Sequence, residues 1–266
     1  MSTSAIPQDQ PMHKNQAKAR MVRGEPAIGI SCGLESPVST EICARLGYDW
    51  VMLEQQHWMW DWSKFQHGLV SIVLGGSTPF ARVSHNNYTE IGQALDAGML
   101  GIVVPMVHTA QDAKQAGEAV RYPPRGTRSL GATHAQRYGS DYMTWADDEI
   151  LLMVQIESAE AVANCESILA EPTVDGCWIG PADLGRSMQI APEIAGADAE
   201  AAYARVVEAA QKTGTFSGMS CADGEEAARR IEQGMQFVSC GNDTRWIRRL
   251  GASDLATARA AKRPRS

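Results

Sequence analysis

Hydrophobic residues fall into short apolar runs that alternate with longer amphipathic stretches. The short runs are rich in aliphatic and aromatic residues, which is typical of strands buried on both faces. In the longer stretches apolar residues recur every three or four positions, which predicts helices with one face on a core. Strands are predicted at 27–32, 50–54, 79–83, 101–105, 151–157, 176–180, 216–220 and 237–241. Helices are predicted at 39–46, 90–97, 110–120, 159–170, 197–212 and 224–233.

Eight strand-like runs alternating with helices predict an α/β fold with a parallel sheet, most simply a closed (β/α)8 TIM barrel in a single domain. The 266 residues suit such a barrel, which needs about 250. An open, doubly wound sheet is the alternative, but no Gly-x-Gly-x-x-Gly follows the first strand. We assign residues 21–258 to the barrel, 1–20 to a flexible N-terminal arm and 259–266 to a C-terminal tail.

One interval interrupts the alternation of strands and helices. Residues 121–148 are too long for a plain connection and begin with a segment rich in Pro, Gly and Arg. Long loops in compact domains are usually functional or disordered. Because residues 140–148 have a helical pattern, we expect an ordered loop that lines the site or forms a subunit contact.

Composition narrows the classes of partner. The net charge of −7 and the pI near 5.4 argue against nucleic acid or an anionic membrane as a partner. No apolar run approaches the roughly 20 residues of a membrane span. The six cysteines include no Cys-x-x-Cys pair, and several lie in apolar runs, so we expect reduced thiols and a cytoplasmic protein.

Two carboxylates stand at the ends of predicted strands. Glu157 closes the fifth strand and Asp183 follows the sixth. In a parallel barrel both would leave the sheet at the same rim, where two carboxylates predict a hard-cation site for Mg²⁺ or Mn²⁺. Taken singly, Glu157 also fits an acid at a helix start, and Asp183 fits an N-cap.

Other polar residues follow strands two and three. His57 is the best candidate for a general acid or base, with Glu54 as the partner that orients it. The alternative is a surface histidine. Arg82 ends an apolar strand and predicts an anionic ligand, the alternative being an outward salt bridge. Trp58 fits either the wall of an acceptor pocket or a subunit interface.

Several catalytic routes lack their residues. No lysine ends a predicted strand, so a Schiff-base mechanism has no candidate. The chain also has no Gly-x-Ser-x-Gly elbow and no phosphate-binding P-loop.

Five motifs in order resemble the metal-dependent class II pyruvate aldolases of the HpcH/HpaI family, the 4-hydroxy-2-oxoheptanedioate aldolase type. The resemblance covers residues 24–255, and the combination of motifs is specific although each alone is weak. The motifs are Gly47-Tyr-Asp-Trp-Val51, Val103-Val-Pro-Met-Val107, Arg121-Tyr-Pro-Pro-x-Gly-x-Arg128, Val154-Gln-Ile-Glu157 and Ile179-Gly-Pro-Ala-Asp-Leu184.

The resemblance implies a (β/α)8 barrel that assembles as a hexamer, a trimer of dimers with sites at subunit contacts. It implies that Glu157 and Asp183 hold a divalent ion, Mg²⁺ or Mn²⁺ with Co²⁺ as a further candidate, which pyruvate chelates. Arg82 would stabilise the enolate oxygen.

Further roles are carried over from the same family. Gln155 would position pyruvate together with the backbone of Gly180, Pro181, Ala182 and Asp183. His57 with its acidic partner would transfer protons. Asp96 would reach the site across a dimer interface.

The chain departs from the family pattern at strand two. The family usually has Asp-x-Glu-His and then a small residue, whereas this chain has Glu54-Gln55-Gln56-His57-Trp58. The departure affects the choice of substrate more than the reaction type.

We therefore predict a metal-dependent lyase that reversibly cleaves 4-hydroxy-2-oxo acids to pyruvate and an aldehyde. The alternatives are a related lyase of the CoA-thioester or oxaloacetate decarboxylase type, and a non-catalytic barrel that binds a metal or a keto acid.

Overall fold

The computed structural model describes residues 15–131, 134–189 and 197–261. Its eight strands pair in parallel, each with the next in sequence, and β8 closes on β1 to form a barrel. The predicted (β/α)8 fold is confirmed. The strands are β1 Ala27–Cys32, β2 Trp50–Glu54, β3 Thr78–Arg82, β4 Gly101–Val104, β5 Leu151–Ile156, β6 Gly176–Ile179, β7 Gly218–Met219 and β8 Phe237–Asn242.

Helices surround the barrel, and most of them begin at a polar residue whose side chain caps the first turn. Thr109 and Asp112 form a reciprocal capping box, and Gly98 ends a helix in the left-handed conformation (φ 111°). The helices are α1 Gln16–Val22, α2 Pro37–Arg45, α3 Trp62–Gly75, α4 Tyr88–Ala97, α5 Ala110–Val120, α6 Tyr142–Glu149, α7 Ala159–Ala163, α8 Cys165–Leu169, α9 Pro181–Ser187, α10 Ala197–Thr213, α11 Gly224–Glu232 and α12 Asp243–Ala260.

Most predicted elements lie within a few residues of their observed bounds, with two differences in detail. The helix predicted at 159–170 is divided at Asn164 into α7 and α8. The seventh strand pairs over only two residues, Gly218 and Met219, with an isolated bridge at Phe216. Helices α1, α3, α9 and α12 lie outside the predicted set.

Three aromatic rings fill the interior of the barrel at the N-terminal ends of its strands. Trp50 stacks on Phe237 at 4.2 Å between ring centroids, and Phe80 lies 5.1 Å from Phe237. The glycines at 29 and 101 make room, because a Cβ there would lie 2.0 Å from the rings of Trp50 and Phe80. Because side chains fill the barrel at the N-terminal ends of the strands, we expect a site at the C-terminal ends.

Helix α1 covers the same end, which corrects the prediction of a flexible arm for residues 15–20. Ala17 and Met21 are buried against the aromatic cluster. The amide of Asn15 donates to the carbonyls of Leu100 (2.8 Å) and Glu149 (3.0 Å). The segment is mostly polar and does not indicate a buried helix, because only two of its residues, Ala17 and Met21, cover the end of the barrel. Residues 1–14 lie outside the described part of the chain.

Helix α12 runs through residues 259 and 260, which corrects the prediction of a tail from 259 onward. It exposes Ile247, Leu250 and Leu255, and Asp243 at its start is its only buried residue. The predicted tail from 262 onward lies outside the described residues. No helix in the described ranges is long and apolar enough to cross a membrane.

Two buried arginines order the loop that follows α5. Arg121 donates to the carbonyls of Asp147 and Ile150 and pairs with Asp175 at 2.5 Å. Arg128 lies 4.5 Å over the ring of Tyr122. The described part of the interval is ordered, in agreement with the expectation of an ordered loop.

Candidate active site

A chain of polar side chains crosses the C-terminal mouth of the barrel. Parallel pairing places Glu54 of β2 beside Arg82 of β3, and their side chains form an ion pair. Arg82 Nη1 donates to Gln155 Oε1 at 3.2 Å, and Gln155 Nε2 donates to Glu157. Glu54, Gln155 and Glu157 are all buried. The predicted site residues of strands two, three and five are therefore joined into one network.

Arg82 points into the barrel, so the alternative of an outward salt bridge is wrong. Its guanidinium carbon lies 5.7 Å from the ring centre of Trp178, and its side chain is 12 % exposed. Burial lowers the pKa of Arg82 to about 10, while the charges of Glu157 and Asp183 act to raise it. Arg82 is still a cation at neutral pH.

Two buried donors in this part of the barrel lack a partner among the described residues: Arg82 Nε and Trp178 Nε1. A buried donor without an acceptor is costly. Oxygen atoms of an anionic ligand at the barrel mouth can accept from Arg82, and this part of the site therefore suits a carboxylate or a keto acid.

Glu157 is buried and close enough to Asp183 to sense its charge. Burial raises the pKa of Glu157, and the negative charge of Asp183 raises it further, against the amide of Met106, which donates to Oε1 at 2.7 Å. A buried carboxylate that also feels the charge of a second, exposed carboxylate fits a cation. No group of three or more His, Cys, Asp or Glu residues with metal-ligating geometry occurs in the described ranges, so water and substrate would complete the coordination.

The turn from β6 into α9 packs tightly on this pair. A Cβ at Gly180 would lie 2.6 Å from Gln155 Nε2 and 2.9 Å from Glu157 Oε2. Pro181 starts the helix and has no N–H, and the amides of Ala182 and Asp183 have no acceptor in the first turn. Ala182 and Asp183 are exposed at the mouth. The predicted substrate-binding turn thus borders the network.

Met106 is a site residue that sequence reasoning missed. It follows β4 with φ 57°, an uncommon conformation for a residue with a side chain, and this directs its N–H to Glu157. The signal in the sequence is Pro105, which ends the strand and starts the turn. Strain at this position serves to hold one carboxylate oxygen.

The structure does not join His57 to Glu54, and this corrects our prediction for the pair. Glu54 binds Arg82 and accepts the backbone N–H of Gln56 at 2.7 Å. His57 is exposed and has no hydrogen-bond partner among the described residues. The buried cation of Arg82 attracts the carboxylate more strongly than a solvated imidazole does.

Trp58 is half-buried next to His57, and its ring occupies the space that a Cβ on Gly33 would need. The backbone of Gly33 and Leu34 is held by the carboxylate of Asp243, which accepts both amides at 2.9 and 3.1 Å. His57 and Trp58 both line a cavity between the loops that follow β2 and β3.

Asp96 is not brought to this network within the chain. It lies near the C-terminal end of α4 and pairs with Arg128 at 2.9 Å. Because a barrel helix runs antiparallel to the strand before it, this end of α4 lies away from the C-terminal mouth.

A closed barrel with buried carboxylates, an arginine and an amide at its C-terminal mouth belongs to the class of (β/α)8-barrel enzymes. The family model described as HpcH/HpaI aldolase/citrate lyase matches residues 28–249. The chain belongs to this family and is an enzyme, a carbon–carbon lyase. The family is divalent-metal-dependent. The alternative of a non-catalytic barrel finds no support.

Individual relatives agree with this assignment. The chain is 35 % identical to a hydroxypyruvate/pyruvate aldolase of Rhizorhabdus wittichii, over 92 % of this chain and 99 % of that protein. It is also 35 % identical to a 4-hydroxy-2-oxo-heptane-1,7-dioate aldolase of Escherichia coli, over 89 % of this chain and 92 % of that protein. The crystal structure of an HpcH/HpaI aldolase/citrate lyase family protein from Burkholderia cenocepacia superposes with a TM-score of 0.86 at 31 % identity, over 92 % of this chain and 100 % of that one.

Proposed function

We propose that the protein catalyses the reversible aldol cleavage of 4-hydroxy-2-oxo acids to pyruvate and an aldehyde. The network from Glu54 through Arg82 and Gln155 to Glu157 carries the proposal. In this network a buried cation and an amide lie beside the buried carboxylate of Glu157, which supports a keto acid bound at a cation. The relatives named as aldolases of pyruvate and of a 4-hydroxy-2-oxo diacid support the same reaction.

Glu157 and Asp183 would hold the divalent cation. The chemistry that such a cation supplies when bound is polarisation of the pyruvate keto group, which lowers the cost of forming an enolate. Mg²⁺ or Mn²⁺ suits two carboxylates with open positions for water, and Co²⁺ is a further candidate.

Arg82 and Gln155 orient and stabilise the reacting keto acid. Arg82 is held by Glu54 on one side and by Gln155 on the other, so its charge is fixed in place before substrate arrives. A fixed cation beside a growing enolate oxygen stabilises the transition state without reorganisation. Gln155 and the amides of Ala182 and Asp183 would position the carboxylate of pyruvate.

His57 would take and return the proton of the acceptor hydroxyl through a water molecule. Its exposure in the cavity supports this role, and no carboxylate among the described residues fixes its ring. Glu54 would act indirectly, by positioning Arg82.

We also propose a homo-oligomer, with a hexamer built as a trimer of dimers as the expected form. The apolar face of α12, formed by Ile247, Leu250 and Leu255, supports a subunit contact. Such a contact would be the means for Asp96 of one subunit to approach the site of another. The predicted cytoplasmic location rests on the acidic composition and on thiols that are free, five of them buried.

The test is pyruvate release from a 4-hydroxy-2-oxo acid, measured before and after chelator treatment. We expect release to stop with chelator and to return with Mg²⁺ or Mn²⁺. Glu157→Ala should abolish release, whereas Glu160→Ala, an exposed glutamate of α7, should not change it. Release that survives both the chelator and Glu157→Ala would refute the proposal.

A further inference from the structure

A cavity of about 560 Å³ lies beside the site, between the loop after β2 and the start of α4. Its size is within the range of small-molecule pockets. The backbone N–H of Gln55 donates to the carbonyl of Arg82 at 2.9 Å, so the wall of the cavity is continuous with the network. The lining residues are Gln55, Gln56, His57, Trp58, Met59, Trp60, Trp62, Ser84, Glu90 and Gln93.

Among the described residues, no lysine or arginine lines this cavity, and Glu90 is the one carboxylate that does. Two cations in segments that adjoin the lining residues already have carboxylate partners. Arg82 is paired with Glu54, and Lys64 lies 3.2 Å from Glu35 and 3.6 Å from Asp61. A ligand carboxylate placed here would meet Glu90 with no lysine or arginine to offset the repulsion, which is unfavourable.

The polar lining is instead suited to hydroxyl groups. Gln55, Gln56 and Gln93 each offer an amide that both donates and accepts. Gln56 Oε1 is buried and has no hydrogen-bond partner among the described residues, so this side chain gains an acceptor contact if it turns towards a donor in the cavity. A ligand hydroxyl is such a donor, whereas a carboxylate is not.

Aromatic side chains form the remaining wall. Trp58 is half-buried and Trp62 is 38 % exposed, and indole rings provide flat apolar surfaces for C–H groups. Trp60 has a structural role, because its N–H donates to the carbonyl of Cys32 at 3.1 Å. Flat apolar walls with amides between them match a chain of carbons that carry hydroxyls.

We propose that the aldehyde partner is neutral and carries hydroxyl groups beyond its carbonyl carbon. This inference rests on the proposed aldol function. In the synthetic direction the pyruvate methyl group loses a proton, its carbon bonds to the aldehyde carbon, and the aldehyde oxygen gains a proton. The atoms balance without an oxidant or reductant. The hydroxyls next to the new bond lie against the glutamines, and no distal carboxylate is required.

Three four-carbon aldehydes test the proposal with pyruvate as donor: erythrose, butanal and succinic semialdehyde. We expect kcat/KM for erythrose to exceed that for each of the others by about tenfold, because each hydroxyl gained or charge avoided changes binding severalfold. A kcat/KM for succinic semialdehyde equal to or above that for erythrose would refute the proposal that the aldehyde is neutral. A kcat/KM for butanal equal to that for erythrose would refute the proposal that the cavity recognises hydroxyl groups.

A variant links the preference to the cavity. Gln56→Leu should raise KM for erythrose about fivefold and leave KM for butanal within twofold, because only hydroxyl contacts are lost. Gln211→Leu, an exposed glutamine of α10, is the matched control and should not change either value. An equal effect of Gln56→Leu on both aldehydes would assign the residue a structural role and overturn the proposal.

Solvent deuterium exchange at the methyl group of pyruvate separates the two levels of inference. Absence of deuterium exchange in the metal-loaded wild-type protein would refute the aldol function itself. Exchange that is present, together with a preference for succinic semialdehyde, would refute only the assignment of the acceptor.

Discussion

Gly180→Ala is the sharpest test of the assembled site. The added Cβ would lie 2.6 Å from Gln155 Nε2 and 2.9 Å from Glu157 Oε2, and neither distance is tolerated by carbon. The backbone at Gly180 (φ −97°, ψ 91°) is accessible to alanine, so the substitution acts through these contacts and not through backbone strain. The Gln155–Glu157 pair must therefore move by roughly 0.5–1 Å to restore ordinary contact distances.

A displacement of about 1 Å in a catalytic group costs about a hundredfold in rate. We expect Gly180→Ala to slow deuterium exchange at the pyruvate methyl group by this factor. The matched control is Gly224→Ala at the start of α11, where an added Cβ meets nothing within 4 Å. Wild-type exchange in Gly180→Ala, with the fold intact by circular dichroism, would refute the proposed role of the Gln155–Glu157 pair.

Three further predictions follow from the same site and from the core. Arg82→Gln should lower pyruvate exchange by about 10²–10³-fold and lower stability by about 3–5 kcal/mol, because Glu54 is left buried without a cation. Adding Glu54→Gln should restore the melting temperature but not the exchange, and a double variant with recovered exchange would contradict a direct role for Arg82. As pH is lowered, Mn²⁺ affinity should begin to fall at a higher pH than it would for an ordinary glutamate, because burial raises the pKa of Glu157 and protons compete with the cation. Calorimetric titration at several pH values measures this affinity. An affinity that stays unchanged down to the ordinary glutamate pKa would contradict the prediction. Without the cation, the stability that protonated Glu157 contributes is fully present below the pKa of this group in the unfolded chain. It is lost as pH rises through the raised pKa of the folded protein. Trp50→Ala should cost about 3–5 kcal/mol in urea unfolding, since a buried ring in the aromatic cluster leaves a cavity; a loss below about 1 kcal/mol would show that the cluster does not seal the barrel.

The acid–base half of the site marks where sequence reasoning reached its limit. From spacing alone, Glu54 and His57 form a plausible pair. The register of β2 on β3 instead places Glu54 directly beside Arg82, which is far more buried than His57. Spacing along the chain does not reveal which strand neighbour a side chain meets, because pairing register is a property of the assembled sheet.

The sequence by itself determined the barrel and most of its strand bounds. Apolar runs and helical periodicity are local properties, and strand ends identify the residues that reach the rim, among them Arg82, Gln155 and Glu157. Only the tertiary structure decided which rim residues touch. It also decided that α1 seals the barrel with Ala17 and that the strained turn at Met106 holds Glu157. These features depend on contacts between segments distant in sequence, where the cost of burying charges and filling space is decided by all the neighbours together.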